Sequence, residues 1–284
     1  MKAAFIGLGV MGFPMAGRLA AAGHQMKVFN RGPDKARRWA ELHGGQACAS
    51  AAEAAEGCEI VALCVGNDDD VRAVAGEVLP AMAEGGVVLD HTTASAKLAR
   101  EASHKAEALG RFFIDAPVSG GQAGAENGTL SVMAGGDEAA FERVAPFMGA
   151  YAKAIRRIGP SGAGQLTKMV NQICIAGVLQ GVSEGLAFAQ RAELDLDAVL
   201  QAISKGAAQS WQMENRWATM AQGKFNFGFA VDWMRKDLGL ALDEARANGS
   251  SLGVTALIDQ YYAEVQDMGG RRWDTSSLVA RLNR

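Results

Sequence analysis

The sequence predicts an α/β chain in two parts: residues 1–160 as a doubly wound, mostly parallel sheet domain, and residues 161–284 as an all-helical domain. Three observations carry this. Short apolar runs alternate with helical patterns through the first part. A glycine turn suited to joining a buried strand to a helix lies near the start. Beyond Gly159-Pro160-Ser161-Gly162 no convincing strand remains.

Residues 2–6 (KAAFI) read as a buried strand, and a helix at about 11–22 is stopped by Gly23. A second strand follows near 26–29. Apolar runs at 60–65, 87–89, 112–114 and 130–134 read as further strands, with helical patterns near 34–43, 69–83, 95–109 and 137–149. After the boundary one long helical pattern runs from about 164 to 191. Helices near 195–204, 210–221, 231–248 and 254–267 complete the chain. The long helix carries Gly177, Gly181 and Gly185 at four-residue spacing, then Ala189. Each glycine inside a helix costs about 1 kcal/mol relative to alanine. Three on one stripe therefore predict another helix packed very close there, with a second subunit as one source of it.

A chain of 284 residues with 49% hydrophobic content can bury two cores. The net charge of -3, without long runs of one sign, gives no support for a nucleic-acid or polybasic membrane surface. Cys48, Cys58, Cys64 and Cys174 show no two-residue spacing, so free thiols in a reducing cytoplasm are expected and no metal site. The apolar N-terminus is glycine-broken and runs into Pro14, which favours a strand over a signal peptide. No stretch of about 20 residues is continuously apolar, so no membrane span is expected.

Gly7-Leu8-Gly9-Val10-Met11-Gly12 fits G-x-G-x-x-G. Gly7 would allow the tight turn, Gly9 the approach of a pyrophosphate, and Gly12 the packing of helix on strand. The helix start would then offer N–H groups and a positive dipole end to phosphate. The motif follows a strand, opens a helix and leads to a second strand, which is the context a Rossmann-type dinucleotide site requires. At the end of the second strand stand Asn30 and Arg31, with Lys35 nearby, where an acidic residue would hold an NAD ribose. Asparagine stands where that acidic residue would be, no carboxylate is expected to repel a 2′-phosphate, and Arg31 is there to pair with one, so NADP(H) is favoured over NAD(H).

Hydride transfer to a carbonyl needs a proton donor at the oxygen, and the reverse needs a base. His24, His43, His91 and His104 all lie in the first 104 residues, and His91, at a strand end, is one candidate. Lys168 is another. It sits in the first turns of the long helix, with Asn171 and Gln172 on its face at i+3 and i+4. Desolvation and the helix dipole would both lower its pKa. Spacing alone leaves an exposed lysine on an amphipathic helix equally open.

At four ordered motifs the sequence resembles the β-hydroxyacid dehydrogenase family, which includes 3-hydroxyisobutyrate dehydrogenases and tartronate semialdehyde reductases. These are the N-terminal glycine motif with Pro14, Asp115-Ala-Pro-Val-Ser-Gly-Gly121, the G-x-G-x-x-x-K segment ending at Lys168, and Lys236-Asp237-Leu238. The resemblance spans the whole chain. It implies interconversion of a small 3-hydroxy acid and its semialdehyde, with Lys168 as general acid/base. It implies Ser119, Gly120 and Gly121 as the clamp on the substrate carboxylate, and Asn171 or Gln172 as holding the lysine or the substrate oxygen. Val65, Gly66, Asn67, Thr93 and Lys236 are implied as cofactor contacts, and a homodimer or homotetramer is expected through the helical domain. The chain departs from many members in placing Gln172 four residues after the lysine and Asn171 three after, an order similar to tartronate semialdehyde reductases. It also lacks the usual proline near Asp90-His-Thr-Thr-Ala-Ser. Trp211, Phe229 and Trp233 are candidates to close a pocket or to pack a core. Asp232 and Arg235 are candidates to tune specificity, with solvated helix charges the expected role. The competing readings are a 6-phosphogluconate dehydrogenase-like enzyme, an imine reductase, which would usually replace Lys168, and a catalytically silent dinucleotide-binding module.

Overall fold

The computed structural model describes residues 1–282 and divides into two compact units, Met1–Lys168 and Met169–Arg284. The first unit runs β1 (Lys2–Ile6), α1 (Gly12–Ala21), β2 (Gln25–Phe29), α2 (Pro33–His43), β3 (Gln46–Ala47), α3 (Ala51–Ala55), β4 (Ile60–Leu63) and α4 (Asp68–Ala81). It continues through β5 (Val87–Asp90), α5 (Ala96–Ala108), β6 (Phe112–Asp115), β7 (Val118–Ser119), α6 (Gly121–Asn127), β8 (Leu130–Gly135), α7 (Glu138–Met148) and β9 (Ala152–Gly159). Helix α8 (Ala163–Arg191) begins in this unit and continues into the second.

Among the described residues the strands form one sheet in the order β3-β2-β1-β4-β5-β6-β8-β7, with β9 paired to β8. From β3 to β6 every pairing is parallel; β8 runs antiparallel to β6 and β7 and parallel to β9. Parallel strands need both faces covered, and alternate side chains supply the two cores. Ala3 and Phe5 of β1 enter one core with Met15 and Leu19 of α1 and Trp39 of α2. Ala4 and Ile6 enter the other with Val78 and Leu79 of α4 and Leu98 of α5. The chain winds outward from β1 to β3, then restarts at β4 on the other side of β1. The carboxyl ends of β1 and β4 thus frame a switch point, where open α/β sheets bind ligands.

The long apolar strands and the helices between them match the expected pattern. The short or half-polar elements β3, α3, β7, α6 and β9 carry too little apolar periodicity to be read. In β9 four of the eight residues are exposed, and its two arginines and one lysine make it look like a loop.

The second unit holds the rest of α8 with α9 (Leu196–Ile203), α10 (Trp211–Ala221), α11 (Val231–Asn248), α12 (Gly253–Asp267) and a 3-10 segment, Thr275–Arg281. Ala176, Leu179, Val182 and Leu186 form the inward face of α8 and pack in cores with Leu238 of α11, Tyr262 of α12 and Trp217 of α10. The expected close packing on the glycine stripe is not found within the chain. A methyl group placed on Gly177, Gly181 or Gly185 would meet nothing within 4 Å among the described residues. By length and composition α8 also meets the requirement for a membrane span, but half of that apolar stretch is buried in the chain, as in a core helix. Arg235 is no solvated charge. It makes a two-pronged ion pair from α11 to Asp259 of α12, at 2.9 and 3.0 Å, and donates to Gln266.

His91 proves to be a core residue of the first unit, so its candidacy as the proton carrier falls. The ring is 3% exposed. Nδ1 donates to the carbonyl of Ala116 at 2.7 Å, and Nε2 accepts from the Tyr151 hydroxyl at 2.8 Å. Burial, the larger cause, pushes its pKa down to about 4. The unfolded chain would take up this proton near pH 6.5 and the folded one only near 4. The stability that neutral His91 contributes is therefore complete above about pH 6.5 and lost as pH falls toward 4, at about 1.4 kcal/mol per unit. His91→Gln keeps a donor and an acceptor but does not titrate. In urea unfolding at pH 7.5 and pH 5, its stability deficit against wild type is expected to shrink by about 2 kcal/mol on acidification. An unchanged deficit would show that His91 is not held neutral.

Candidate active site

The turn after β1 explains each glycine of the first motif. Gly7 has a φ of +94°, and a Cβ there would lie 2.2 Å from the Cys64 carbonyl oxygen. A Cβ on Gly12 would lie 1.9 Å from the Gly7 carbonyl oxygen, so only glycine lets α1 start this close to β1. Gly9 faces open space, with nothing within 4 Å of a Cβ position. Leu8 is buried, whereas Val10 is exposed and Met11 half-buried. Helix α1 has no side-chain cap and no acidic residue in its first turn, leaving its positive end to an external anion. Pro14 fits in that turn because the N–H it lacks would have no partner in the helix. This cradle fits the pyrophosphate of a dinucleotide.

Asn30, at the end of β2, accepts from Leu8 N at 2.9 Å and donates to the Gly32 carbonyl at 3.0 Å. Its amide therefore braces the glycine turn. Arg31 is 85% exposed in its side chain and lies 3.2 Å from Asp70 Oδ1. The expectation that no carboxylate comes near needs correction here, because Asp70 reaches this edge from α4, where it also accepts from Gly66 N. Lys35 remains exposed on α2.

The turns after β4 and β5 are tied together. Val65 N donates to Thr92 Oγ1 at 3.0 Å, and Ser95 donates through N and Oγ to Asp68 at 2.9 and 2.5 Å. Asn67 caps α4 by accepting from Asp70 N. Gly66 and Thr93 lie half-buried beside these ties.

The start of α8 is fixed from the sheet. Asp115, the last residue of β6, is fully buried; its Oδ1 accepts from Gly162 N at 2.8 Å and its Oδ2 from Gln165 N at 2.9 Å. Gln165 is fully buried too. Its side chain accepts from Ala94 N at 3.0 Å and donates to the Thr92 carbonyl at 2.8 Å. Gly162 adopts φ +92°, and a Cβ on Gly164 would come within 2.5 Å of the carbonyl oxygens of Asp115 and Met133. Those contacts account for the glycines of the G-x-G-x-x-x-K segment. Lys168 follows one turn later and is only 7% exposed. Asp115 pairs in register with Asp90 on β5. Burial is the main cause that pushes Asp115 up to about 6 and Asp90 up to about 7.

Ser119 closes β7, opposite Ser131 of β8, and is half-buried. Gly120 and Gly121 follow with φ of +131° and +62°, conformations that leave their side of the turn without side chains. Consecutive amides in such a turn can converge on an anion.

In the second unit Asn171, Gln172, Asp237 and Lys236 form one polar chain. Asn171 Nδ2 donates to Gln172 Oε1 at 2.8 Å, and Gln172 Nε2 donates to Asp237 Oδ2 at 2.7 Å. Lys236 Nζ lies 3.0 Å from Asp237 Oδ1, an ion pair without hydrogen-bond geometry. Gln172 is 2% exposed with both ends of its amide engaged, which makes it a bridge between Asn171 and Asp237. Trp211 stacks on Arg216 at 4.9 Å and is exposed, Trp233 is exposed, and Phe229 packs against the helical core. Asp115, Gln165 and Asp237 carry this arrangement without having been singled out individually from the sequence. Their only signal was membership of the motifs that contain them.

Residues 2–159 match the model of the NAD-binding domain of 6-phosphogluconate dehydrogenase, and residues 162–282 match that of the NAD-binding region of NADP-dependent 3-hydroxyisobutyrate dehydrogenase. An uncharacterized oxidoreductase of Shewanella frigidimarina is 61% identical over 100% of this chain and 98% of its own length. The 2-hydroxy-3-oxopropionate reductase of Escherichia coli is 39% identical over 99% of this chain and 97% of its own. Among solved structures, 3-hydroxyisobutyrate dehydrogenase of Mycobacterium tuberculosis, with L-serine, superposes with a TM-score of 0.90 at 32% identity, covering 99% of each chain. With matching models along nearly its whole length and these relatives, the chain belongs to the 3-hydroxyisobutyrate dehydrogenase family of NAD(P)-dependent β-hydroxyacid dehydrogenases.

Proposed function

We propose that the chain reduces a small semialdehyde acid to its 3-hydroxy acid, and runs the reverse, with Lys168 as the proton carrier. The carrying observation is the burial of Lys168 one turn into a helix whose start is bound to the end of β6 through Asp115 and to the turn after β5 through Gln165. A bound nicotinamide supplies the hydride. Lys168 gives its proton to the carbonyl oxygen as that oxygen becomes a hydroxyl, and in reverse takes it back. Ser119 Oγ and the Gly120 and Gly121 amides hold the substrate carboxylate. Asn171 follows Lys168 by three residues on the same helix, with Gln172 holding its amide. The name of the Escherichia coli relative, and the Asn171-Gln172 order, make tartronate semialdehyde (2-hydroxy-3-oxopropionate) the first compound to assay, beside succinic semialdehyde and a cyclic imine.

For the cofactor we infer NADP(H) over NAD(H). Asn30 is neutral and already engaged with the turn, while Arg31 is exposed and can leave Asp70 for a 2′-phosphate. We also infer a homodimer or homotetramer formed through the helical unit. Val170, Val178 and Phe188 are exposed on α8, Phe188 at 72%, beside glycines that leave room for a neighbouring backbone. The free thiols suit a reducing cytoplasm.

Lys168→Ala should lower kcat on tartronate semialdehyde by about 10²- to 10⁴-fold while NADPH binding, followed by fluorescence, changes little. Turnover near wild type would remove Lys168 from the mechanism. Arg31→Ala should raise the KM for NADPH by about tenfold or more and leave that for NADH nearly unchanged; equal effects on both would place the preference elsewhere. Phe188→Glu should shift the sedimenting species toward the monomer, and an unchanged assembly would exclude this face.

A further inference from the structure

Resting on that role for Lys168, we infer that Asp115 and Gln165 are positioning residues: a buried clasp that sets where the first turns of α8, and so the lysine, stand relative to the turn after β5. An ordinary helix cap is a side chain adjacent in sequence. Here the acceptor comes from 47 and 50 residues earlier, at the end of a central strand, and spends both carboxylate oxygens on the helix start. Gln165 then reaches the loop that follows Asp90, donating to the Thr92 carbonyl and accepting from Ala94 N. Thr92 is itself tied to Asp90 through its N–H and to Val65 N through its hydroxyl. One continuous set of hydrogen bonds therefore joins the turns after β4 and β5, the end of β6 and the helix that carries Lys168.

Backbone contact makes the clasp stiff. Gly135 and Gly164 approach so closely that a Cβ on Gly135 would lie 2.7 Å from Gly164 N, and Gly164 meets the Asp115 and Met133 carbonyls as described. A helix held this tightly at its base has little freedom to slide or tilt over its first turns. Proton transfer needs the donor within hydrogen-bond reach of the reacting oxygen, and displacement by about 1 Å can cost on the order of a hundredfold in rate. An apolar base for α8 would hold the same two layers together but would not define this register. A carboxylate buried against its preference for water, beside a second buried carboxyl, is a costly way to secure mere stability.

The test uses the full-length enzyme with NADPH and tartronate semialdehyde, and compares Gln165→Leu, Gln165→Glu and Lys168→Ala with wild type. In Gln165→Leu, kcat should fall tenfold or more while the NADPH dissociation constant stays within twofold. In Gln165→Glu the ionised carboxylate can still accept from Ala94 N but cannot donate to the Thr92 carbonyl; the protonated form can. Its kcat relative to wild type should therefore be low at pH 8.5 and recover several-fold toward pH 6, a rescue that a purely structural loss would not show. The clasp is overturned if Lys168→Ala is inactive while both Gln165 variants, folded by circular dichroism, keep kcat within twofold of wild type from pH 6 to 8.5. It is equally overturned if Gln165→Glu loses activity by the same factor at every pH. An active Lys168→Ala enzyme would instead remove the role of Lys168, and the clasp's purpose with it, whatever the Gln165 variants do.

Discussion

The Asp115 carboxylate, accepting the backbone N–H groups of Gly162 and Gln165 at the foot of α8, is the interaction on which the proposed site's arrangement depends. It joins a strand of the nucleotide-binding sheet to the helix that bears Lys168. Around it, every contact is backbone-tight: the glycines at 135, 162 and 164 exist because side chains there would strike carbonyl oxygens, amides or the Asp115 side chain, or would need a left-handed φ. Gln165 extends the same fixation to the turn after β5. The start of α8 is thereby held by fixed elements, one turn before Lys168, as the proposed acid/base role requires.

This arrangement has an energetic cost. Asp90 and Asp115 lie side by side at the ends of β5 and β6, and burial raises both. A carboxyl raised in the folded state adds stability only at low pH, and that contribution is lost as pH rises through the folded value. For Asp115, moving from 3.8 to about 6 amounts to about 3 kcal/mol against folding at neutral pH. Backbone N–H donors offset part of the burial penalty but do not cancel it. Groups held in such an environment gather at functional sites, where a stable core would have placed apolar side chains.

Much of this was legible in the sequence where one physical cause acts locally. The parallel strands β1, β4, β5 and β6 are nearly all apolar, so their runs stand out, and the helices of the second unit show their 3.6-residue period almost to the residue. The first glycine motif was readable because each glycine answers to its own turn. What escaped depends on partners distant in sequence. His91 looked like a candidate at a strand end, but Tyr151 and the Ala116 carbonyl bury both its nitrogens. Asp70 reaches Arg31 from 39 positions away. Gln165 reads as an unremarkable polar residue until the fold brings Thr92 and Ala94 to its amide. The glycine stripe on α8 suggested a close neighbour, and within the chain there is none.

The central claim is that Lys168 meets the reacting oxygen of the substrate. A crystal structure of the chain with NADPH and glycerate, the hydroxy acid formed from tartronate semialdehyde and unable to react with the reduced cofactor, tests it most directly. The Lys168 ammonium is expected about 3 Å from the terminal (C3) hydroxyl of glycerate, with its carboxylate on the Ser119–Gly121 turn. A glycerate bound beside the nicotinamide with Lys168 turned away, and another side chain or water on its C3 hydroxyl, would contradict it.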